Sequence, residues 1–215
     1  MRSRTPLRQA AAGTLIAILA VLVLAADQFT KYLVIENLPP EEPVPILGEF
    51  LQFYLVRNPG AAFSLGEGVT WIFTIALAVV ALVVLWLGFR RVRSRLWTVA
   101  LGLLLGGVLG NLTDRLFREP GFPVGHVVDF ISTPWMMPAI YNVADIFIVT
   151  MMISVALLVL VGLRLDGTRE PRTVYADNEE DPDGEAHDAE APDAEVPDAE
   201  VPGAAEPRPS DDTAR

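Results

Sequence analysis

The sequence predicts an all-α polytopic membrane protein: four transmembrane helices, a small extracellular sheet over the helix ends and a disordered acidic C-terminal tail. Three observations predict it. Apolar residues make up 52% of the chain and gather into four runs, 14–26, 69–89, 96–112 and 140–165. Arginines fill the segments on one side of those runs and are sparse on the other. The charge is also divided: residues 166–215 hold 17 acidic against 4 basic residues, while residues 1–165 hold 10 acidic against 12 basic. The net charge of −11 is therefore a property of the tail.

The first run follows Arg2, Arg4 and Arg8. It is shorter than the roughly 20 residues that a helix needs to cross a bilayer, so it borrows flanking residues. Its arginines and Val23-Leu24-Ala25 also fit a cleaved secretory signal. The second run opens with Trp71, a residue suited to the membrane–water interface. The third contains Gly106 and Gly110, a small-xxx-small face that lets a neighbouring helix approach closely. The fourth begins near Asn142 and Asp145. Between runs one and two, residues 49–56 alternate and are rich in Phe, Tyr, Leu and Val, which predicts a strand ended by Asn58-Pro59-Gly60. Residues 124–131 predict a second strand. The domains expected are a cytoplasmic N-terminus 1–10, a membrane body 11–165 and a tail 166–215. The tail is acidic, proline-rich and poor in aromatics, a composition that cannot bury enough apolar surface to order itself.

Arg90, Arg91, Arg93 and Arg95 link runs two and three, and Arg164, Arg169 and Arg172 follow run four. The positive-inside rule places these segments and the N-terminus in the cytoplasm. The uncommon polar residues then share the outer side. Asp27 and Lys31, spaced i,i+4, sit at the end of span one and can pair. Asn58 lies in the first outer loop. Asn111, Asp114 and Arg115 close span three. Asp129 lies in the second outer loop, and Asn142 and Asp145 open span four.

Taken singly, each has an ordinary reading: an ion pair for Asp27 and Lys31, a helix-end brace for Asp114 beside Arg115, an interhelical hydrogen bond for Asn142, a helix N-terminal charge for Asp145. Those readings explain poorly why residues of three spans gather at one end. Ionisable residues in membrane segments cost about 2.5–3.5 kcal/mol at the helix centre and usually mark function. Lys31 is the only lysine and His126 and His187 the only histidines, and there is no cysteine. A cysteine nucleophile is thus excluded, and no metal is expected. Carboxylates remain. Asp129 and Asp145 are separated by Pro134 and Pro138, which let the chain turn back to the same depth. Two close carboxylates hold one proton between them and can activate a water.

The motifs Asp27-Gln28-Phe29-Thr30-Lys31, Asn58-Pro59-Gly60-Ala61-Ala62-Phe63-Ser64, Gly106-Gly107-Val108-Leu109-Gly110-Asn111-Leu112-Thr113-Asp114-Arg115, Val127-Val128-Asp129-Phe130 and Tyr141-Asn142-Val143-Ala144-Asp145 occur in this order. Together they resemble the lipoprotein signal peptidase (signal peptidase II) family, bacterial aspartic proteases of the cytoplasmic membrane. The resemblance covers roughly residues 14–165. It implies four spans with both termini cytoplasmic, a β-cradle and an interfacial helix in the first outer loop. It implies Asp129 and Asp145 as the catalytic dyad, Asn58, Asn111, Arg115 and Asn142 around the peptide, and Asp27, Lys31 and Asp114 in support. The implied substrate is a diacylglyceryl-modified prolipoprotein, cut just before the lipidated cysteine by a monomer that meets membrane lipids and needs neither cofactor nor nucleic acid. Tyr141, where the family often has Phe, and the acidic tail depart from the pattern. The competing readings are a small transporter with an ion-binding aspartate pair, which predicts an internal repeat that is absent from the sequence, and a structural membrane protein. The Gly-x-Gly-Asp signature of other di-aspartyl membrane proteases is absent.

Overall fold

A computed structural model describes residues 7–60 and 69–169. Among them are four helices long and apolar enough to cross a membrane: α1 (Gln9–Asn37), α2 (Thr70–Arg90), α3 (Arg95–Phe117) and α4 (Val143–Leu160). Four strands, β1 (Pro43–Pro45), β2 (Gln52–Asn58), β3 (Val127–Thr133) and β4 (Met137–Tyr141), form one antiparallel sheet in the order β1-β2-β3-β4.

α3 is the centre of the bundle and contacts each of the other three helices. Its apolar window is 72% buried, against 6% for α4, which packs Ile148, Met151, Val155 and Leu158 against the core and leaves about half of its side chains exposed. A helix apolar all round is stable in that position when lipid is its solvent. Helices in lipid associate by close packing and not by hydrophobic exclusion, so small residues set the distance. Gly106 shows this directly: a Cβ there would lie 2.5 Å from Val23 Cβ and 2.8 Å from the Ala20 carbonyl. The face of α1 that meets α3 runs through Ala12, Ile16, Ala20 and Val23, then continues as Asp27 and Lys31. The same buried stripe thus changes from apolar to ionic near its end.

The opposite end of the bundle is closed by backbone bonds. Leu7 N–H donates to the Arg93 carbonyl, Arg93 and Ser94 N–H both donate to the Leu165 carbonyl, and Trp97 Nε1 donates to the Leu163 carbonyl. These join the start of α1, the α2–α3 link and the segment after α4.

Several expected boundaries are corrected. α1 extends eleven residues past the first apolar run, because its polar residues lie on the buried face. The strand expected at 49–56 is β2 at Gln52–Asn58, and that at 124–131 is β3 at Val127–Thr133. The fourth run does not begin as helix: its first residues belong to β4, and α4 starts only after Asn142 and ends at Leu160. No helix occurs among described residues 38–60, and the rest of the loop to which the interfacial helix was assigned, residues 61–68, lies outside the described residues. The acidic tail beyond Arg169 also lies outside them; its first residues, Asp166 to Arg169, form a turn that bridges back to Leu163.

Candidate active site

The polar residues of α1, α3 and α4 meet at the sheet end of the bundle, in two groups. The first is a wholly buried ionic cluster. Lys31 Nζ lies 2.9 Å from Asp27 Oδ2, 2.8 Å from Asp114 Oδ2 and 3.1 Å from Asn111 Oδ1, so all three of its protons are placed. Asp114 also binds Arg118 Nε at 2.6 Å and accepts from the Val128 N–H at 3.1 Å, which ties the start of β3 to α3. The other oxygen of Asp27 accepts from the Ala144 N–H at 3.0 Å, in the first turn of α4, where the helix dipole favours an anion. Gln28 donates to both Asp27 and Asp114. Gly110 makes room for this: a Cβ there would lie 2.5 Å from Asp27 Oδ2.

The second group is the carboxylate pair. Asn142 caps α4: its side chain accepts from the Asp145 N–H, and Asp145 Oδ2 accepts from the Asn142 N–H at 3.1 Å. With its oxygen so engaged, the Asn142 amide points Nδ2 outward, donating to Asp129 Oδ1 at 2.6 Å and to Asn111 Oδ1 at 3.1 Å. One residue therefore holds both Asp129 and Asp145. Asn111, its oxygen taken by Lys31 and Asn142, turns its own Nδ2 to Asp145 Oδ1 at 2.7 Å. Asn58 accepts from the Gly60 N–H and donates to Asp129 Oδ2 at 2.9 Å. All four carboxylate oxygens thus receive amide donors, and among the described residues neither Asp129 nor Asp145 forms an ion pair. Asp129, on β3, is buried. That burial and the charge of Asp145 push its carboxyl up from 3.8 to about 7, against the opposing pull of Asn58, Asn142 and the more distant Lys31.

Below the pair runs a cleft of about 1080 Å³ between α2 and α4. Asn58, Asn111, Arg115, Asp129 and Asp145 line its head, and Phe73, Leu77, Leu104, Val108, Val149 and Met152 line its apolar length. A smaller pocket on the sheet side, about 190 Å³, shares Asn58 and Asp129 with it. Asp129 therefore stands between an apolar cleft and a strand-lined one, and Asp145 faces the apolar cleft.

The residues singled out in the sequence are brought together, with two corrections. Asp114 does not brace its neighbour Arg115; it pairs with Lys31 and Arg118. Arg115 spends its guanidinium on the backbone: Nη1 donates to the carbonyls of Asn58, Pro59 and Gly125, and Nη2 to that of Gly60. It fixes the chain after β2. Thr70 and Thr74 of α2 fix the same loops by bonds of 2.6 Å to the Pro59 and Pro123 carbonyls. Gln28 and Arg118 were missed, although Arg118 is i,i+4 from Asp114 and that spacing was a legible signal. The Tyr141 hydroxyl lies 3.3 Å from Thr133 Oγ1, within the sheet.

Fold and site define an integral membrane protein carrying an uncharged-amide cage around two carboxylates at one end of its bundle. The model of the Signal peptidase (SPase) II family matches residues 19–163, and the chain belongs to that family of peptidases. The lipoprotein signal peptidase of Leifsonia xyli subsp. xyli (strain CTCB07) is 51% identical over 164 residues, 75% of each protein. That of Rhodococcus jostii (strain RHA1) is 47% identical over 156 residues, 73% of this chain and 77% of the relative. A bacterial membrane enzyme solved by the in meso method at 2.3 Å resembles it with a TM-score of 0.61 and 29% identity, over 69% of this chain and 88% of that one.

Proposed function

We propose that this chain is an aspartic endopeptidase that removes the signal peptide from diacylglyceryl-modified prolipoproteins, cutting just before the lipidated cysteine. The observation that carries the reading is the junction of Asp129 and Asp145 through Asn142 at the head of an apolar cleft. An acyl-bearing substrate fits a site whose approach is apolar and whose end is polar. The name shared by the relatives, lipoprotein signal peptidase, supports the same substrate class.

In this mechanism Asp145 is the base and Asp129, which keeps a proton to about pH 7, is the acid. Asp145 takes a proton from a water, and the oxygen attacks the peptide carbonyl carbon. Asp129 gives its proton to the carbonyl oxygen, so the tetrahedral intermediate carries two hydroxyls and no charge. Its collapse breaks the C–N bond as the proton on Asp145 passes to the departing nitrogen, and Asp129 regains a proton from the intermediate. Asn58, Asn111 and Asn142 orient the carboxylates and border the peptide, and Arg115 shapes the loop against it. Asp27, Lys31 and Asp114 hold the helix ends that carry them. The arginine pattern supports cytoplasmic termini and a site near the outer face. The active form in this reading is a monomer needing no metal.

The test is processing of a diacylglyceryl prolipoprotein by purified protein in lipid. Asp129→Asn and Asp145→Asn are expected to insert normally and to leave the precursor uncut. Normal maturation by either variant contradicts the proposal, as does cleavage at a bond other than the one preceding the lipidated cysteine.

A further inference from the structure

We infer that the far end of the sheet is a lipid-anchoring surface, an aromatic clamp lying in the membrane interface beside the cleft. The β1–β2 turn and the β3–β4 turn occur at the same end of the sheet, because Pro45 pairs with Gln52 and Gln52 with Ser132. There they expose Ile46, Leu47, Phe50, Trp135 and Met136, with between 47% and 62% of each surface open. For a sheet extending into water this is a costly group of side chains, and contiguous exposed apolar surface marks an interaction site.

Three features select lipid as the occupant. First, Phe50 and Trp135 are joined to each other. Their rings stack at 4.6 Å and 13°, and Trp135 Nε1 donates to the Phe50 carbonyl at 2.9 Å. The indole N–H is thus satisfied internally, so the ring enters an apolar phase without leaving a bare donor. Second, Met136 lines the same cleft as Val149 and Met152 of α4. The turn therefore overhangs the helix flank and does not rise away from it, and its apolar surface continues the outward face of α4. Third, Asp129 is only three residues before Ser132, about 10 Å along a strand. A turn held at the interface fixes the height of β3, and with it the height of Asp129 relative to Asp145 on α4. Interfacial tryptophan is the usual residue for such an anchor.

The inference does not depend on the reaction, and its first test is made without substrate. The full chain and its Trp135→Phe variant are reconstituted in phosphatidylcholine nanodiscs, and the difference between their emissions isolates Trp135 from the other three tryptophans. Lipids brominated near the carbonyl end of the acyl chain are expected to quench most of that difference signal, and aqueous acrylamide little of it. Strong quenching by acrylamide with none from brominated lipid overturns the inference by placing the clamp in water. Protection from both quenchers also overturns it, since protein, such as a second copy of the chain, would then cover the clamp. A Phe50→Ser/Trp135→Ser variant supplies an independent reading. Its KM for a bilayer-borne substrate is expected to rise severalfold, with kcat falling as β3 loosens. Unchanged kinetics would show that the turn anchors nothing.

Discussion

Two pairs of aspartates sit at the same end of this bundle and have opposite surroundings. Asp27 and Asp114 are fully buried and each meets an ammonium or guanidinium within 2.9 Å. Among the described residues, Asp129 and Asp145 hydrogen-bond only to amides, from Asn58, Asn111 and Asn142. A cation fixes a carboxylate in its charged form and makes it part of the frame. An amide orients a carboxylate and leaves its proton free to move. Residue type and depth are nearly shared between the pairs, so the neighbours decide which pair holds the helices and which is available for chemistry. Asn111 joins them: its oxygen belongs to Lys31 and its nitrogen to Asp145.

Breaking the comparison at the amide-bound pair is expected to have the largest effect. Asp129→Asn or Asp145→Asn removes the acid or the base, and precursor cleavage falls by roughly 10²–10⁴ or more while thermal stability in detergent holds. If stability collapses and the residual turnover per folded molecule is normal, the roles of the pairs have been exchanged. Breaking the cation-bound pair comes next. Lys31→Met leaves two buried carboxylates short of a partner and costs about 3–5 kcal/mol, read as a large drop in melting temperature. Adding Asp27→Asn neutralises one of them and restores part of the loss. A Lys31→Met chain that melts like the parent removes the structural assignment. Gly110→Ala is smaller: the new methyl crowds Asp27 and Ala144, and overpacking of this kind costs about 1–3 kcal/mol. A melting temperature equal to the parent's would mean that α1 and α3 are not held so closely.

The smallest effect is that of pH on stability. Asp129 titrates at about 7 folded and 3.8 ordinarily, so the folded chain binds more protons than the unfolded chain between those values. Its contribution to stability is complete below pH 3.8 and declines as the pH rises through about 7. Cleavage falls over the same upper range as the acid loses its proton. In Asp129→Asn the stability decline is absent, and persistence of the same decline there would assign it to another group.

Much of this was legible before any coordinates. α2 and α3 lie within a few residues of their apolar runs, because length and hydropathy alone set a span. The two groups of aspartates were found as one constellation, because the arginines oriented the spans. What the sequence hid were the places where one pattern overlies another. Residues 140–141 extend the last apolar run without a break, so the switch from β4 to α4 was invisible to hydropathy; Asn142 followed three residues later by Asp145 was the capping signal that marked it. β1 is three residues long with two prolines and carries no strand signature. The last turns of α1, residues 32–37, read as loop, although Asp27 and Lys31 were legible as one face of the span. The separation of charged from amide-bound carboxylates was hidden too, since it depends on which partner each side chain meets across the fold, from 13 residues away between Asn142 and Asp129 to 80 between Lys31 and Asn111.

The central claim is that the amide-bound pair keeps one proton near neutrality, carried by Asp129. Infrared difference spectroscopy of the protein in lipid measures this directly through the carbonyl stretch of a protonated carboxyl group. The account predicts one such band that fades as the pH rises through about 7 and is absent from Asp129→Asn. A spectrum without the band at pH 6, or a band that survives in Asp129→Asn, would contradict it.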